Sequence, residues 1–124
     1  MKKVLIVEDD RILSFLLSKQ LKRLGYEVVG RIASGEEAID SVKKANPDFL
    51  LMDINLEGEL DGIDTMARIR SFSDIPFLYL TGNSDPNTRF RADKTRPVAY
   101  LIKPILIKDL SEVLSAALNG SASQ

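Results

Sequence analysis

Two hydrophobic periods alternate along the chain, and together they predict its elements. Val4 to Val7, Tyr26 to Ile32, Phe49 to Met52, Phe77 to Leu80 and Val98 to Ile102 are short apolar or β-rich runs and read as strands. Three of them, VLIV, FLLM and FLYL, are apolar throughout, as expected for strands covered by helices on both faces. The stretches between them carry helical spacing. Leu13, Leu17, Leu21 and Leu24, with Phe15 and Leu16, form a stripe that Gly25 closes at a C-terminal cap position. Ser34 can cap a second helix bearing Ala38, Ile39 and Val42, which Asn46-Pro47 stops. A third runs from about Gly62 to Phe72 through Ile63, Met66 and Ile69. A fourth, about Asp85 to Asp93, has Phe90 as its main large apolar residue and is expected to be short and loosely held. The last, about Ile107 to Leu118, buries Leu110, Val113, Leu114 and Ala117.

Five strand–helix repeats in this order are the sequence form of a parallel α/β sheet. One domain is expected over 1–124, with a core from about 3 to 118 and a frayed tail at 119–124. In an open parallel sheet the carboxyl ends of the strands share one edge, where ligands bind. That rule gathers residues that are far apart in sequence. Glu8 and Asp9 follow the first strand, Asp53 the third, Thr81 the fourth and Lys103 the fifth.

Composition narrows the chemistry available at this edge. The 124 residues are 44% apolar and 28% charged, a globular balance with no apolar run long enough to span a bilayer. Met1-Lys2-Lys3 leads too quickly to Glu8 for a secretory signal, so a cytoplasmic location is expected. The absence of cysteine and histidine removes thiolate and imidazole chemistry and most transition-metal sites. A net charge of −1 with scattered cations argues against direct nucleic-acid binding.

Carboxylates, a hydroxyl and an amine suit a hard divalent cation and a phosphoryl group. Two like charges about 5 Å apart at an effective dielectric near 20 repel by roughly 3 kcal/mol, which a cation relieves. Magnesium takes a few carboxylates and shares phosphate oxygens readily. An aspartate beside it can act as a nucleophile on phosphorus, with a lysine neutralising charge.

The segments LIVEDD, LLMDINL, DG, LTG and YLIKP, in this order at strand ends, resemble the receiver domain of two-component response regulators. The resemblance covers essentially the whole chain. It implies a flavodoxin-like (βα)5 fold, doubly wound, with strand order 2-1-3-4-5. It also implies roles for particular residues. Asp53 is similar to the phosphoacceptor, and Glu8 and Asp9 to the magnesium holders, Asp9 directly and Glu8 through water. Asp53 and the Asn55 backbone carbonyl complete the metal set, for which manganese is an admissible substitute. Thr81 resembles the switch hydroxyl, Lys103 the pairing amine and Tyr100 the switch aromatic. Asn55 and Asn83 stand at positions that govern water access, and Lys103-Pro104 is where the family has a cis peptide.

The implied function is a phosphorylatable signalling module. A histidine kinase or histidine phosphotransfer protein would donate to Asp53, and the face of the fourth helix, last strand and last helix would switch to control an output protein. A phosphorylation-dependent dimer is left open. The module would catalyse its own phosphorylation and dephosphorylation without turning over a free substrate.

Plainer readings stand beside these. Asp10 is best explained as an N-cap of the first helix, and Arg89 and Arg91 as exposed charges on a weak helix. Thr81 alone would be an ordinary strand-end residue, although Gly82 beside it leaves room for a phosphoryl group. The chain also departs from the family pattern. Glu57 replaces a common proline four residues after Asp53, and NLEGELDG is about one residue longer than usual. The rivals are an interaction module that is never phosphorylated and an aspartate-nucleophile phosphohydrolase. The latter usually needs an Asp-x-Asp after the first strand and a cap domain, and neither is visible in the sequence.

Overall fold

The computed structural model describes residues 1–82 and 85–118. Its elements run β1 (Lys3–Val7), α1 (Arg11–Arg23), β2 (Glu27–Ile32), α2 (Gly35–Ala45), β3 (Phe49–Asp53), α3 (Gly62–Ile69), β4 (Phe77–Thr81), α4 (Pro86–Asp93), β5 (Ala99–Ile102) and α5 (Ile107–Leu118). The strands form one parallel sheet in the order β2-β1-β3-β4-β5. This is the flavodoxin-like order that the resemblance implied. The chain leaves β1 toward β2 on one side and returns to β3 on the other. The carboxyl ends of β1 and β3 therefore flank the point where winding reverses.

Strand alternation divides the core into two layers. Leu5, Val7, Leu50, Met52, Phe77 and Tyr79 face one side with Ala38, Val42, Met66, Ile69 and Ala92, the side of α2, α3 and α4. Val4, Ile6, Phe49, Leu51, Leu78 and Leu80 face the other with Leu17, Leu21, Leu110 and Leu114 from α1 and α5. All five residues of β3 and of β4 are buried, whereas the edge strands β2 and β5 are only partly covered.

Caps set the helix limits. Asp10 Oδ1 accepts from the backbone N–H groups of Ile12 and Leu13, at 3.0 and 3.1 Å, as its N-cap reading requires. Ser34 caps α2, which ends on Asn46 in a left-handed conformation with φ of 47°. Gly25 follows α1 with φ of 94°, a region that costs glycine least. Lys103-Pro104 is cis.

The structure corrects the apolar stripes in three places. In α1 the buried face is Ser14, Leu17, Ser18 and Leu21, whereas Phe15 and Leu16 are about half exposed and Leu24 falls in the cap. Phe15 lies about 200° around the helix from Leu17, and the two small serines allow close approach to the sheet. Phe15 sits instead between the cations of Lys19 and Arg31. Helix α3 stops at Ile69, short of Phe72, with Arg70 as its C-cap. Its guanidinium donates to the carbonyls of Ile75 and Thr95, at 2.7 and 2.8 Å, and fixes a tight turn. In α5, Val113 and Ala117 are only partly buried. The expected tail at 119–124 lies outside the described residues.

The fourth helix forms, and its anchoring is weak as expected. Ala92 is its one buried residue, and Phe90 is 66% exposed. Polar contacts hold its ends. Thr95 Oγ1 lies 2.6 Å from the buried Tyr79 hydroxyl and donates to the Ala92 carbonyl. Arg91 reaches across to Asp61 and Asp64, at 3.5 and 3.3 Å, at the start of α3.

Candidate phosphoryl and metal site

Four strands deliver the site. Glu8 extends β1 by one residue, its N–H donating to Ile32 of β2 at 2.9 Å, and the alternation turns its side chain inward. Asp53 is the last residue of β3, opposite Leu80 of β4, and is 1% exposed. Thr81 ends β4, also 1% exposed. Its carbonyl accepts the N–H of Lys103 at 2.8 Å, which ties the end of β5 to the end of β4.

Ligand oxygens of Glu8, Asp9 and Asp53 all lie within 4.8 Å of one another. Lys103 Nζ is 2.9 Å from Glu8 Oε1 and 3.5 Å from Asp53 Oδ1. Three carboxylates therefore cluster, and one ammonium contacts two of them. Glu8 Oε2 accepts the Asp10 N–H at 3.0 Å, whereas Oε1 is buried and accepts no well-aligned hydrogen bond despite the nearby ammonium. Burial pushes the Glu8 carboxyl up to about 7; the Asp10 N–H and Lys103 oppose that rise, and Asp53 adds to it. Burial also works against the Lys103 charge, but Glu8 and Asp53 outweigh it and hold the ammonium above its ordinary pKa.

Backbone groups complete the cradle. Asn55 donates its N–H to Asp53 Oδ1 at 3.0 Å, and Glu57 donates its N–H to Asp9 Oδ2 at 3.2 Å. The loop after β3 thus folds back onto the acidic centre, with Leu56 and Leu60 buried as its apolar anchors. Gly58 turns within it with φ of 105°, a region that costs glycine least. At Gly62 the constraint is space, since a Cβ there would collide with the Asp53 carbonyl oxygen. Around Gly82 the space is open for 4 Å.

The structure therefore brings Glu8, Asp9, Asp53 and Lys103 together and sets Thr81 and Asn55 beside them. Asn83 lies outside the described residues. Tyr100 is half-buried on β5, paired in register with Tyr79, with ring centroids 5.6 Å apart. Three contributions escaped the sequence reading. Glu57 acts through its backbone, which no side-chain pattern reveals. Gly62 was visible only as part of a motif. Arg89 and Arg91 are exposed, but both have partners: Arg89 stacks on Tyr100, and Arg91 pairs with Asp61 and Asp64.

The donor set fits a hard cation. It consists of oxygens, it carries excess negative charge and it includes a buried carboxylate oxygen lacking an aligned donor. Among the described residues no helix is long and apolar enough to cross a membrane.

Comparison with known proteins agrees with this arrangement. The family model for the response regulator receiver domain matches residues 4–115. The transcriptional regulatory protein PdtaR of Mycobacterium tuberculosis is 34% identical over 118 residues, covering 95% of this chain and 57% of that protein. The chain spans about half the length of several curated relatives it matches and about a quarter of others. Among solved structures, the signal receiver domain of a modulated diguanylate cyclase from Desulfovibrio desulfuricans is 37% identical. It superposes with a TM-score of 0.90 over 98% of this chain and 97% of that one. The receiver domain of the sensor histidine kinase PA1611 from Pseudomonas aeruginosa is 29% identical, with a TM-score of 0.82 over 92% of this chain and 94% of that one. That structure holds a magnesium ion coordinated in its active site cleft.

Proposed function

Because the chain belongs to the response regulator receiver family, we propose that it accepts a phosphoryl group on Asp53 from a phosphohistidine of a kinase or phosphotransfer protein. Phosphorylation and magnesium use are general to that family. The observation that carries the reading is the convergence of Glu8, Asp9, Asp53 and Lys103 on one sheet edge.

Glu8, Asp9 and Asp53 would hold magnesium, with the Asn55 carbonyl as a further oxygen. Bound there, the ion supplies charge neutralisation for the carboxylates and for the incoming phosphoryl oxygens. In the transfer, an Asp53 carboxylate oxygen bonds to phosphorus as the phosphorus–nitrogen bond to the donor imidazole breaks. The imidazole leaves with the bonding pair and recovers a proton from solvent. Lys103 pairs with the negative oxygens of the transferred group, and the Thr81 hydroxyl donates to one of them. Backbone contacts from Asn55 and Glu57 keep the carboxylates oriented. The chain catalyses its own side of the transfer and is not a turnover enzyme on a free substrate.

The output is protein binding at the face of α4, β5 and α5. Weak apolar anchoring of α4 supports its role as the movable part. Val98, Val113, Ala116 and Ala117 line an apolar groove there, which supports contact with an output protein or a second copy. A second groove, lined by Leu13, Leu16, Pro104 and Ile105 with Lys103 at its margin, supports docking of the donor beside the acceptor.

The reading is tested by incubating the protein with a small-molecule phosphodonor and magnesium and measuring intact mass. One phosphoryl adduct is expected, absent from Asp53→Asn and from samples with chelator. Labelling that persists in Asp53→Asn would sink the assignment.

A further inference from the structure

Arg89 and Asp93 close on Tyr100 from two sides. The Arg89 guanidinium lies 3.6 Å from the centre of the Tyr100 ring. The Tyr100 hydroxyl donates to Asp93 Oδ1 at 3.0 Å, with a longer contact of 3.4 Å to the Arg89 carbonyl. Arg89 Nε in turn lies 3.5 Å from Asp93 Oδ1. One carboxylate oxygen therefore serves both the hydroxyl and the cation that covers the ring. Arg89 and Asp93 are four residues apart on α4, so they share one face of the helix.

We propose that Arg89 and Asp93 form a clamp that fastens Tyr100 to α4 and so stabilises the resting position of the switch surface. This inference rests on the phosphoacceptor reading above and adds to it the contact that sets the resting balance. Helix α4 is the loosely anchored element of this surface. The helix buries only Ala92, so polar contacts decide its position. A helix held in this way shifts at small cost, and each contact specific to one position weights that position in the ensemble.

Tyr100 connects this helix to the site. Its ring lies against Tyr79, its ladder partner on β4. Thr81 is two residues beyond Tyr79, on the same face of that strand. The ring thus bridges α4 and the strand that delivers Thr81 to Asp53. If α4 is to move independently of Tyr100, the ring stack and the hydroxyl bond must both be given up.

The test titrates beryllium fluoride with magnesium, a phosphoryl mimic for an aspartate, against wild type, Arg89→Ala, Asp93→Asn and Tyr100→Phe. Binding is followed by backbone amide NMR, and thermal melts check that each surface variant keeps its fold. A contact specific to the resting position lowers apparent affinity for whatever favours the other position. Wild type is expected to bind, and Arg89→Ala and Asp93→Asn to bind roughly two- to fivefold more tightly. Tyr100→Phe keeps the ring and loses the hydroxyl bond, so it should shift the same way by less. Unchanged or weaker binding by Arg89→Ala and Asp93→Asn, with wild-type binding intact, overturns the clamp alone. Failure of wild type to bind overturns the clamp together with the phosphoacceptor reading.

Discussion

Lys103 Nζ lies 2.9 Å from Glu8 Oε1 and 3.5 Å from Asp53 Oδ1, so the lysine that follows β5 is nearer the carboxylate of β1 than that of β3. It contacts two members of the cluster formed by Glu8, Asp9 and Asp53. Lys103→Met removes that charge while keeping the apolar stem. With chelator present, the variant should lose stability, by about 3–5 kcal/mol at the upper end for a broken buried pair. Protonation of Glu8, whose carboxyl is already pushed up to about 7, limits the loss. Magnesium should restore much of it. Thermal melts in chelator and in magnesium check this; a variant as stable as wild type in chelator would contradict it.

Asp53→Asn acts in the opposite sense. It relieves repulsion with Glu8 and Asp9, so in chelator it should melt at or above the wild-type temperature. Magnesium should then raise the wild-type melting temperature more than the variant's. At a concentration ten times its dissociation constant, a ligand of the folded state adds about 1.4 kcal/mol. A chelated Asp53→Asn that melts well below wild type would contradict the crowded-carboxylate picture.

Gly62 holds the start of α3 against β3, with its N–H donating to the Ile54 carbonyl at 2.9 Å. A methyl group there meets the Asp53 backbone and has nowhere to go. Gly62→Ala should cost about 1–3 kcal/mol through overpacking. It should also slow phosphorylation by displacing Asp53, whereas Gly58→Ala, with open space but positive φ, should cost stability and leave the acceptor in place. Paired melts and phosphorylation rates separate the two. Equal effects of both substitutions on rate would refute the positioning role.

Tyr100 supplies a pH dependence. Burial pushes its hydroxyl up to about 12, the hydrogen bond to Asp93 adds to the rise, and Arg89 opposes it. The raised value means that the folded chain keeps the proton after the unfolded chain has released it. The stabilisation is therefore fully present below the ordinary tyrosine value near 10 and is lost as pH rises from about 10 to about 12. Phenolate absorbance of wild type and Tyr100→Phe should differ by one step near pH 12, and Asp93→Asn should move that step down. A difference step near pH 10 instead would contradict the assignment.

The sheet and most of the site were legible because both rest on strong local signals. VLIV, FLLM and FLYL are apolar throughout because β1, β3 and β4 are covered on both faces, and the polar residues that end them must lie on the ligand edge. Contacts that depend on shape were less legible. Phe15 and Leu16 look like core, but Ser14 and Ser18 are small enough for α1 to approach the sheet through them. Arg70 caps α3 and binds carbonyls of later segments, which no spacing within the helix announces. Arg89 reads as a solvated charge because its partner, Tyr100, is on another element. Glu57 reads as a departure from pattern, yet it contributes through its backbone N–H.

The central claim is that Asp53 carries the phosphoryl group, and chemical trapping tests it most directly. Borohydride reduces an acyl phosphate to the corresponding alcohol, which marks the acceptor with a permanent mass change. After treatment with a phosphodonor and magnesium, then borohydride, peptide sequencing by mass spectrometry should find that change at position 53. Omission of magnesium should abolish it. Reduction at Glu8, Asp9 or any other carboxylate, with position 53 unmodified, would contradict the account.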